Sequence, residues 1–410
     1  NESLKEGGRS STESAGRRRW RDLLVVSELA MALMLLVGAG LLIKSFWRLQ
    51  QVDVGVNPEQ VLTMEIALRG SKYPQSDNVS SFYGQLVERV EALPGVRAVA
   101  VSNSLPPDQL AFSSDFTIEG RPVDTDQSAM VADFPIVSTG YFQALGLPLR
   151  RGRYFSESDS RDAPRVVLIN EAMQRRFFSG EEPVGRRVNI GSQRDPAWAE
   201  IVGVVGDVKY TGLGSETQPA IYQPSVQNPS WAVFLIVKTE SGDPLSLATA
   251  VRNEVRALDH ELPVRHVRTM EQLLAASLVQ PRFRTTLITV FALLALILAS
   301  IGIYGVISYT VTQRTREIGI RMAMGARPKD VMRLLLKQAM LLTSAGVGVG
   351  LVAALALTRL MESLLFRVTA TDPVTFILIA LALAGVALAA CYLPARRATR
   401  VDPMVALRYE

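Results

Sequence analysis

The sequence predicts an integral membrane protein with four transmembrane α-helices and a large α+β extracytoplasmic domain inserted between helices 1 and 2. Three observations carry this. Hydrophobic residues make up 48% of the 410 residues and charged residues only 20%, too apolar for an ordinary soluble chain and far from a disordered one. The excess is concentrated in four runs, 23–43, 285–313, 338–358 and 373–395. At about 1.5 Å of helical rise per residue, each is long enough for a hydrocarbon core of roughly 30 Å. Between the first and second runs lie about 240 residues of ordinary globular composition, the size of one or two soluble subdomains. The formal charge of +5, from 44 basic against 39 acidic residues, is too mild and scattered for a nucleic-acid surface. A single cysteine, Cys391, excludes a disulfide within the chain, and two histidines leave little for a His-based site.

Residues 1–22 read as a cytoplasmic tail. The chain opens on Asn1, so a fragment or a processed product is expected. The first span, 23–46, is interrupted only by Glu28. Its lead-in, Arg17-Arg18-Arg19-Trp20-Arg21, suits a signal peptide, but the apolar run exceeds the 7–15 residues of a signal core. A retained span is therefore preferred to cleavage near Val37-Gly38-Ala39-Gly40. Glu28 is an intramembrane polar candidate with two open readings. It is a functional carboxylate, or it snorkels or bonds to a neighbouring helix.

Residues 47–283 form the outer domain. Alternation predicts a strand over 61–68. Phe82, Leu86, Val90 and Leu93 share one face of a helix over 76–93, Pro94-Gly95 stops it, and 96–101 is the next strand. A second strand–helix–strand unit follows at 231–238, 244–258 and 262–267. The two units suggest a pseudo-repeat, forming a base of 57–114 and 229–278. The middle, 115–228, is richer in turns, with strands at 130–137, 165–170 and 200–205 and helices at 141–145 and 171–178, and reads as an inserted lobe.

Spans two, three and four follow at 284–312, 331–360 and 373–395, with an inner segment 313–330, a short outer loop 361–372 and a tail 396–410. Basic residues set the orientation. The first tail carries Lys5, Arg9, Arg17, Arg18, Arg19 and Arg21, and the inner segment and its flank carry Arg314, Arg316, Arg321, Arg327, Lys329, Arg333 and Lys337. The last tail carries Arg396, Arg397, Arg400 and Arg408, whereas Arg359 and Arg367 of the outer loop region are balanced by Glu362 and Asp372. Both tails and the inner segment are thus cytoplasmic; Lys44, Arg48, Arg282 and Arg284 oppose this mildly. Gly346 and Gly350 form a small-xxx-small pair for helix packing, within this chain or against a sister unit. Gly38, Gly40, Gly302 and Gly305 raise the same question.

No GxxxxGK[ST] run is present to cradle ATP phosphates, and no GxGxxG after a strand, HExxH or CxxC occurs. His260 and His266 read as loop and strand-edge residues. Asp124, Asp126, Glu157, Asp159 and Asp162 lack the spacing of a calcium loop and read as solvated surface. No catalytic residue, metal or cofactor is expected.

The informative segment is Arg316-Glu317-Ile318-Gly319-Ile320-Arg321-Met322-Ala323-Met324-Gly325-Ala326. Glu317 and Arg321 are an i,i+4 pair in the favourable order. Ile318 with Met322, and Ile320 with Met324, give two apolar ridges. Gly325 can end the helix in a left-handed conformation, and Pro328 with Asp330 suits the next helix start. Exposed Ile and Met favour insertion into a protein groove over rest on anionic lipid.

This run resembles the cytoplasmic coupling segment of the MacB/FtsX-type ABC transporter permeases. The endings Pro394-Ala395-Arg396-Arg397-Ala398 and Val401-Asp402-Pro403-Met404-Val405-Ala406-Leu407-Arg408 are similar to that family's C-terminus, and 137–153 and 200–207 resemble its MacB-like periplasmic core domain. The start, Leu4-Lys5-Glu6-Gly7-Gly8-Arg9 with 24–45, resembles the second half of a duplicated MacB-like permease, which implies an upstream half. The resemblance implies that Arg316, Glu317, Ile318, Gly319, Ile320, Arg321, Met322, Met324, Gly325 and Ala326 couple to a separate ABC-type ATPase subunit. It also implies a sister permease half or a homodimer, a bacterial inner membrane with both termini cytoplasmic, membrane lipid rather than nucleic acid as surroundings, and export, efflux or mechanotransmission rather than catalysis. The competing readings are a membrane-anchored sensor or ligand-binding protein, and a tethered hydrolase for which no nucleophile–base set is found.

Overall fold

The computed structural model describes residues 9–398 apart from 108, 111, 122–129, 192–194, 314–319, 321–323 and 325–326. The chain divides into two compact units, Asn1–Gln51 with Gln280–Glu410, and Val52–Val279. Helix α1 (Arg9–Gln50) precedes the second of these.

The outer unit begins with β1 (Val61–Ala67), α2 (Ser76–Glu91) and β2 (Val96–Ser102). Helical spacing puts Val79, Phe82, Tyr83, Leu86 and Val90 of α2 on the buried face. The middle contributes β3 (Ser113–Asp115), β4 (Thr117–Ile118), β5 (Val131–Asp133), β6 (Ile136–Val137), α3 (Tyr141–Leu145), β7 (Leu149–Gly152), β8 (Val166–Asn170), α4 (Glu171–Phe177), β9 (Arg187–Asn189), β10 (Trp198–Val205) and β11 (Ile221–Pro224). The base then resumes with β12 (Ala232–Thr239), α5 (Ala248–Leu258), β13 (Val264–Thr269) and α6 (Met270–Ser277).

In the base the strands lie in the order β13-β1-β12-β2, with β1 antiparallel to both β12 and β13. The two strand–helix–strand units therefore interleave as a split β-α-β arrangement. Leu62, Met64, Ile66, Val99, Val101, Leu235 and Val237 form the core with α2 and α5. The lobe has its own core, built around Phe116, Phe134, Val167, Ile169, Met173, Phe178, Ile201 and Ile221. Lobe and base nevertheless share one sheet, which continues β2-β6-β11-β8-β10-β9-β4. Within the sheet β2 meets β6 through a single register pair, Ser102↔Val137, and beside it α3 packs on β2 and β12 of the base.

Three sequence expectations change in detail. The strand expected over 130–137 is two, β5 and β6, because Pro135 between them has no N–H to give to a ladder. The helix expected over 244–258 opens as a one-turn 3-10 helix, Pro244–Leu247, capped by Asp243 Oδ1 accepting the Leu245 N–H at 3.0 Å. The strand expected from 262 starts after Pro263, at Val264.

The other unit contains α1, α7 (Val279–Gln313), α8 (Pro328–Leu360) and α9 (Pro373–Ala398). Among the described residues four segments are long and apolar enough to cross a membrane, Arg19–Gln50, Met270–Gln313, Lys329–Leu360 and Pro373–Arg397. All extend beyond the apolar runs because helix continues into the polar flanks. Leu29, Leu33, Val37 and Leu41 of α1 pack with Ala299, Ile303 and Ile307 of α7, Ala339 and Ala354 of α8, and Leu383, Ala387 and Cys391 of α9. Lys44, which counted against the basic-residue rule, is neutralised by Asp372 at 2.7 Å, and Ser45 Oγ accepts the Phe366 N–H at 2.8 Å.

Candidate coupling site

Helices α7 and α8 flank the segment that the sequence singles out. Pro328 opens α8, where the missing N–H has no intrahelical role. Asp330 sits in the first turn and its Oδ2 accepts the Arg327 N–H at 3.1 Å, a favourable place for a carboxylate. Among the candidate coupling residues, Arg316, Glu317, Ile318, Gly319, Arg321, Met322, Gly325 and Ala326 lie outside the described residues. Ile320 and Met324 are described. The Met324 N–H donates to Ile320 O at 3.0 Å, one helical turn, and their side chains are 41% and 77% exposed. A thioether and a branched alkyl chain left uncovered in this way suit a partner's apolar groove.

Two arginine–tyrosine contacts hold the last turns of α7. The Arg21 guanidinium of α1 lies over the Tyr309 ring, 3.9 Å from its centroid. Arg397 Nη1 of α9 donates to Tyr304 Oη at 3.1 Å, and Gln313 Nε2 donates to Tyr309 Oη at 2.8 Å. Sequence reasoning counted these arginines only as charges. The signal it passed over was two tyrosines near the end of an otherwise apolar run, where an aromatic ring with a polar tip seats well.

Glu28 faces Gly302 of α7. A Cβ at Gly302 would collide with the Glu28 carboxylate. Glu28 Oε2 is buried and has no hydrogen-bond partner, while the residue as a whole is half-buried. Gly346 and Gly350 of α8 face α1 of the same chain. A Cβ at Gly346 would lie 2.6 Å from Leu29 Cβ, and one at Gly350 3.0 Å from Ala30 Cα and Leu33 Cβ. Gly40 of α1 likewise meets α9, with Ile379 Cδ1 at 2.9 Å and Thr375 Cγ2 at 3.0 Å from a built Cβ.

Among the described residues no group of three or more His, Cys, Asp or Glu is placed to hold a metal. His266 Nδ1 lies 2.5 Å from Glu65 Oε2 in the neighbouring strand. Asp124 and Asp126 lie outside the described residues. Asp159 is not the solvated residue that the sequence suggested. It is 4% exposed, clasped by Arg153 Nη1 and Nη2 at 2.7 Å each and bonded to the Ser156 N–H at 2.8 Å. The Arg153 guanidinium holds its carboxyl below the usual carboxylate range.

A family model described as the MacB-like periplasmic core domain matches residues 24–258, and one described as the FtsX-like permease C-terminal matches residues 289–403. The chain is similar to the macrolide export ATP-binding/permease protein MacB of Bartonella quintana, 29% identical over 345 residues, 82% of this chain and 49% of that one. The protein of the same description from Rhodospirillum rubrum is 28% identical over 391 residues, 88% of this chain and 57% of its own. The crystal structure of the periplasmic region of MacB from Actinobacillus actinomycetemcomitans aligns with 56% of this chain and 97% of its own, at 14% identity and a TM-score of 0.38. The chain spans about half the length of the curated relatives it matches.

Proposed function

The chain belongs to the permease family that joins a MacB-like periplasmic core domain to an FtsX-like C-terminal region, and from that premise we propose that it is the transmembrane subunit of a MacB-like ABC transporter. In this reading a separate ABC-type ATPase grips the segment 314–326 from the cytoplasm, both termini share that side, and a sister permease half or a second copy completes the assembly. Hydrolysis of ATP by the partner moves α7 and α8, and the outer domain performs export or mechanical work outside. In this reading the hydrolysis belongs to the partner, in keeping with a sequence that carries no phosphate-cradling motif.

The observation that carries the reading is the tandem of the two family matches across one chain with four apolar helices. The exposed Ile320 and Met324 between α7 and α8 support the place of contact. The test is co-purification of the full chain with its ATP-hydrolysing partner from membranes. Glu317→Arg reverses the i,i+4 pair and Gly325→Leu blocks the helix stop; each is expected to lower partner recovery at least tenfold, about 1.4 kcal/mol. Full recovery of the partner by both variants sinks this placement of the coupling surface.

A further inference from the structure

The link from α1 to β1 is fastened before it reaches the base. Val54 and Val56 are buried. Val54 O accepts the Lys209 N–H at 3.1 Å, and the Asn57 N–H donates to Leu145 O at 2.8 Å. Between them Gly55 has φ +85°, a conformation that suits glycine. It sits so close to Asp207 that a Cβ would overlap the Asp207 carbonyl oxygen, with the carbonyl carbon 2.9 Å away and Val208 Cα 3.2 Å away. Asp207 is held in turn by α4: its Oδ1 accepts the Ala172 N–H at 2.7 Å and its Oδ2 pairs with Arg175 Nη2 at 2.6 Å. Leu145, Asp207 and α4 all belong to the lobe. The chain leaving α1 therefore grips the lobe first.

The second membrane connection ends elsewhere. Helix α7 follows α6, which packs on β1 and β13 of the base, buries Met270 and Leu273 and is capped by Thr269 Oγ1 accepting the Gln272 N–H at 3.1 Å. Lobe and base share one ladder pair at the seam between β2 and β6, flanked by the Asn103 N–H to Ile136 O and Ser138 N–H to Val101 O bonds, and α3 of the lobe packs on β2 and β12 of the base. Beside the seam lies a cleft of about 540 Å³, bordered by Tyr83, Val87 and Glu91 on the base side and Gln143, Glu157 and Ser225 on the lobe side.

We propose that α1 and α7 drive different parts of the outer domain. The Gly55–Asp207 contact is the latch by which α1 takes hold of the lobe, and a displacement of α1 against α7 opens or closes the cleft about the β2–β6 seam. The proposal rests on the permease reading and adds where the stroke is delivered. The latch matters because slack destroys a stroke. An unfastened extended chain reaches about 3.3–3.6 Å per residue, so the stretch 52–60 left free would absorb a helix displacement of several ångströms, the scale of the one-turn shifts known in switching proteins. Glycine at 55 makes the fastening possible, because any side chain would force the link off Asp207.

The test uses the full chain with its ATP-hydrolysing partner in lipid nanodiscs. One spin-label pair spans the cleft (Glu91→Cys with Gln143→Cys) and another the outer ends of α1 and α7 (Trp47→Cys with Phe283→Cys), each in a Cys391→Ser background. Distances are measured without nucleotide and after trapping with ATP and vanadate. Both pairs are expected to shift on trapping in the parent. In Gly55→Ala the helix pair still shifts and the cleft pair does not. Gly180→Ala controls for backbone strain, because Gly180 has φ +81° with nothing near a built Cβ; its cleft pair is expected to shift as in the parent. A four-residue Gly-Ser insertion tests the same idea without steric conflict. Placed between Gln51 and Val52 it abolishes the cleft shift, and placed after the latch, between Pro58 and Glu59, it leaves the shift in place. A cleft pair that still shifts in Gly55→Ala or with the first insertion overturns the latch, as does a parent whose helix pair shifts while its cleft pair stays fixed. A chain that recovers no ATPase, or whose helix pair ignores nucleotide, overturns the permease reading and this proposal with it.

Discussion

Two glycines of α8, two residues apart, should respond to alanine with opposite sign. At Gly346 the added Cβ would stand 2.6 Å from Leu29 Cβ, about 1 Å inside the optimal 3.5–4.0 Å separation of carbon atoms. Relief by rotamer change is closed off, because a Cβ position is fixed by its backbone, and Val26 O at 3.3 Å blocks a sideways shift. The helices must part, which costs about 1–3 kcal/mol as overpacking does elsewhere. At Gly348 nothing lies within 4 Å of the built Cβ. Alanine there loses no packing and gains up to about 1 kcal/mol of helix propensity. The assay is reversible unfolding of the full chain in mixed micelles, read as the denaturant midpoint. Gly346→Ala should lower the midpoint and Gly348→Ala should hold or raise it. If both variants move the same way by similar amounts, the α1–α8 contact is not where the structure places it.

The remaining expectations concern one ion pair and one intramembrane contact. Asp159→Asn should cost about 2 kcal/mol at neutral pH, the scale of hydrogen bonds to a charged group, read as a lower melting temperature of the outer domain. Because Arg153 depresses the Asp159 carboxyl, the parent's advantage is complete above the unfolded carboxylate range near pH 4 and is lost as pH falls through the depressed value. The two melting curves should therefore converge in acid, and a constant gap down to pH 2 would contradict the assignment. In the membrane unit, Gly302→Val drives its side chain into the Glu28 carboxylate. It should reduce disulfide trapping between Arg21→Cys and Tyr309→Cys severalfold, with Glu28→Gly in the same chain restoring it; trapping that ignores Gly302→Val refutes the contact.

The apolar spans were legible because a bilayer leaves no water for a charged side chain, so a long uncharged run has few other uses. The strands β1, β2, β8, β10 and β12 were legible for a local reason too: each is an apolar run that builds one of the outer unit's cores. The strands β3, β4, β7 and β9 were not. Ser113–Asp115 is exposed throughout and Leu149–Gly152 largely so, so they are strands by virtue of their partners rather than their own pattern. Helix α6 carried a signal that went unread, Thr269 with Gln272 three residues later, a capping box. The continuous sheet could not be read at all, since base and lobe join through Ser102 and Val137 and nothing near those residues announces a pairing. In the segment proposed to couple, ridge spacing gave reason to expect apolar side chains at Ile320 and Met324, and both are exposed. The pairing of Glu28 with Gly302 was not expected, because a glycine offers no side chain from which to predict a neighbour.

The close approaches also explain how α1 could move against α7. Helix α1 meets α8 through Leu29, Ala30 and Leu33, contacts made near the backbone with little side chain between, and meets α9 through Gly40 against the side-chain tips of Ile379 and Thr375. The α1–α8 contacts have little to deform, so a displacement of α8 passes to α1 with small loss. Helix α7 is joined differently. Gly302 touches the far end of a flexible glutamate, Gly305 has nothing within 4 Å of a built Cβ, and its last turns carry the arginine–tyrosine pairs at Tyr304 and Tyr309 beside the buried Ile307. Long side chains can rotate and re-form such contacts at the scale of about 1–2 kcal/mol, whereas repacking backbone-close helices costs more. In the permease reading proposed above, a stroke entering between α7 and α8 would find its compliant joint along α7, with α1 and α8 responding together.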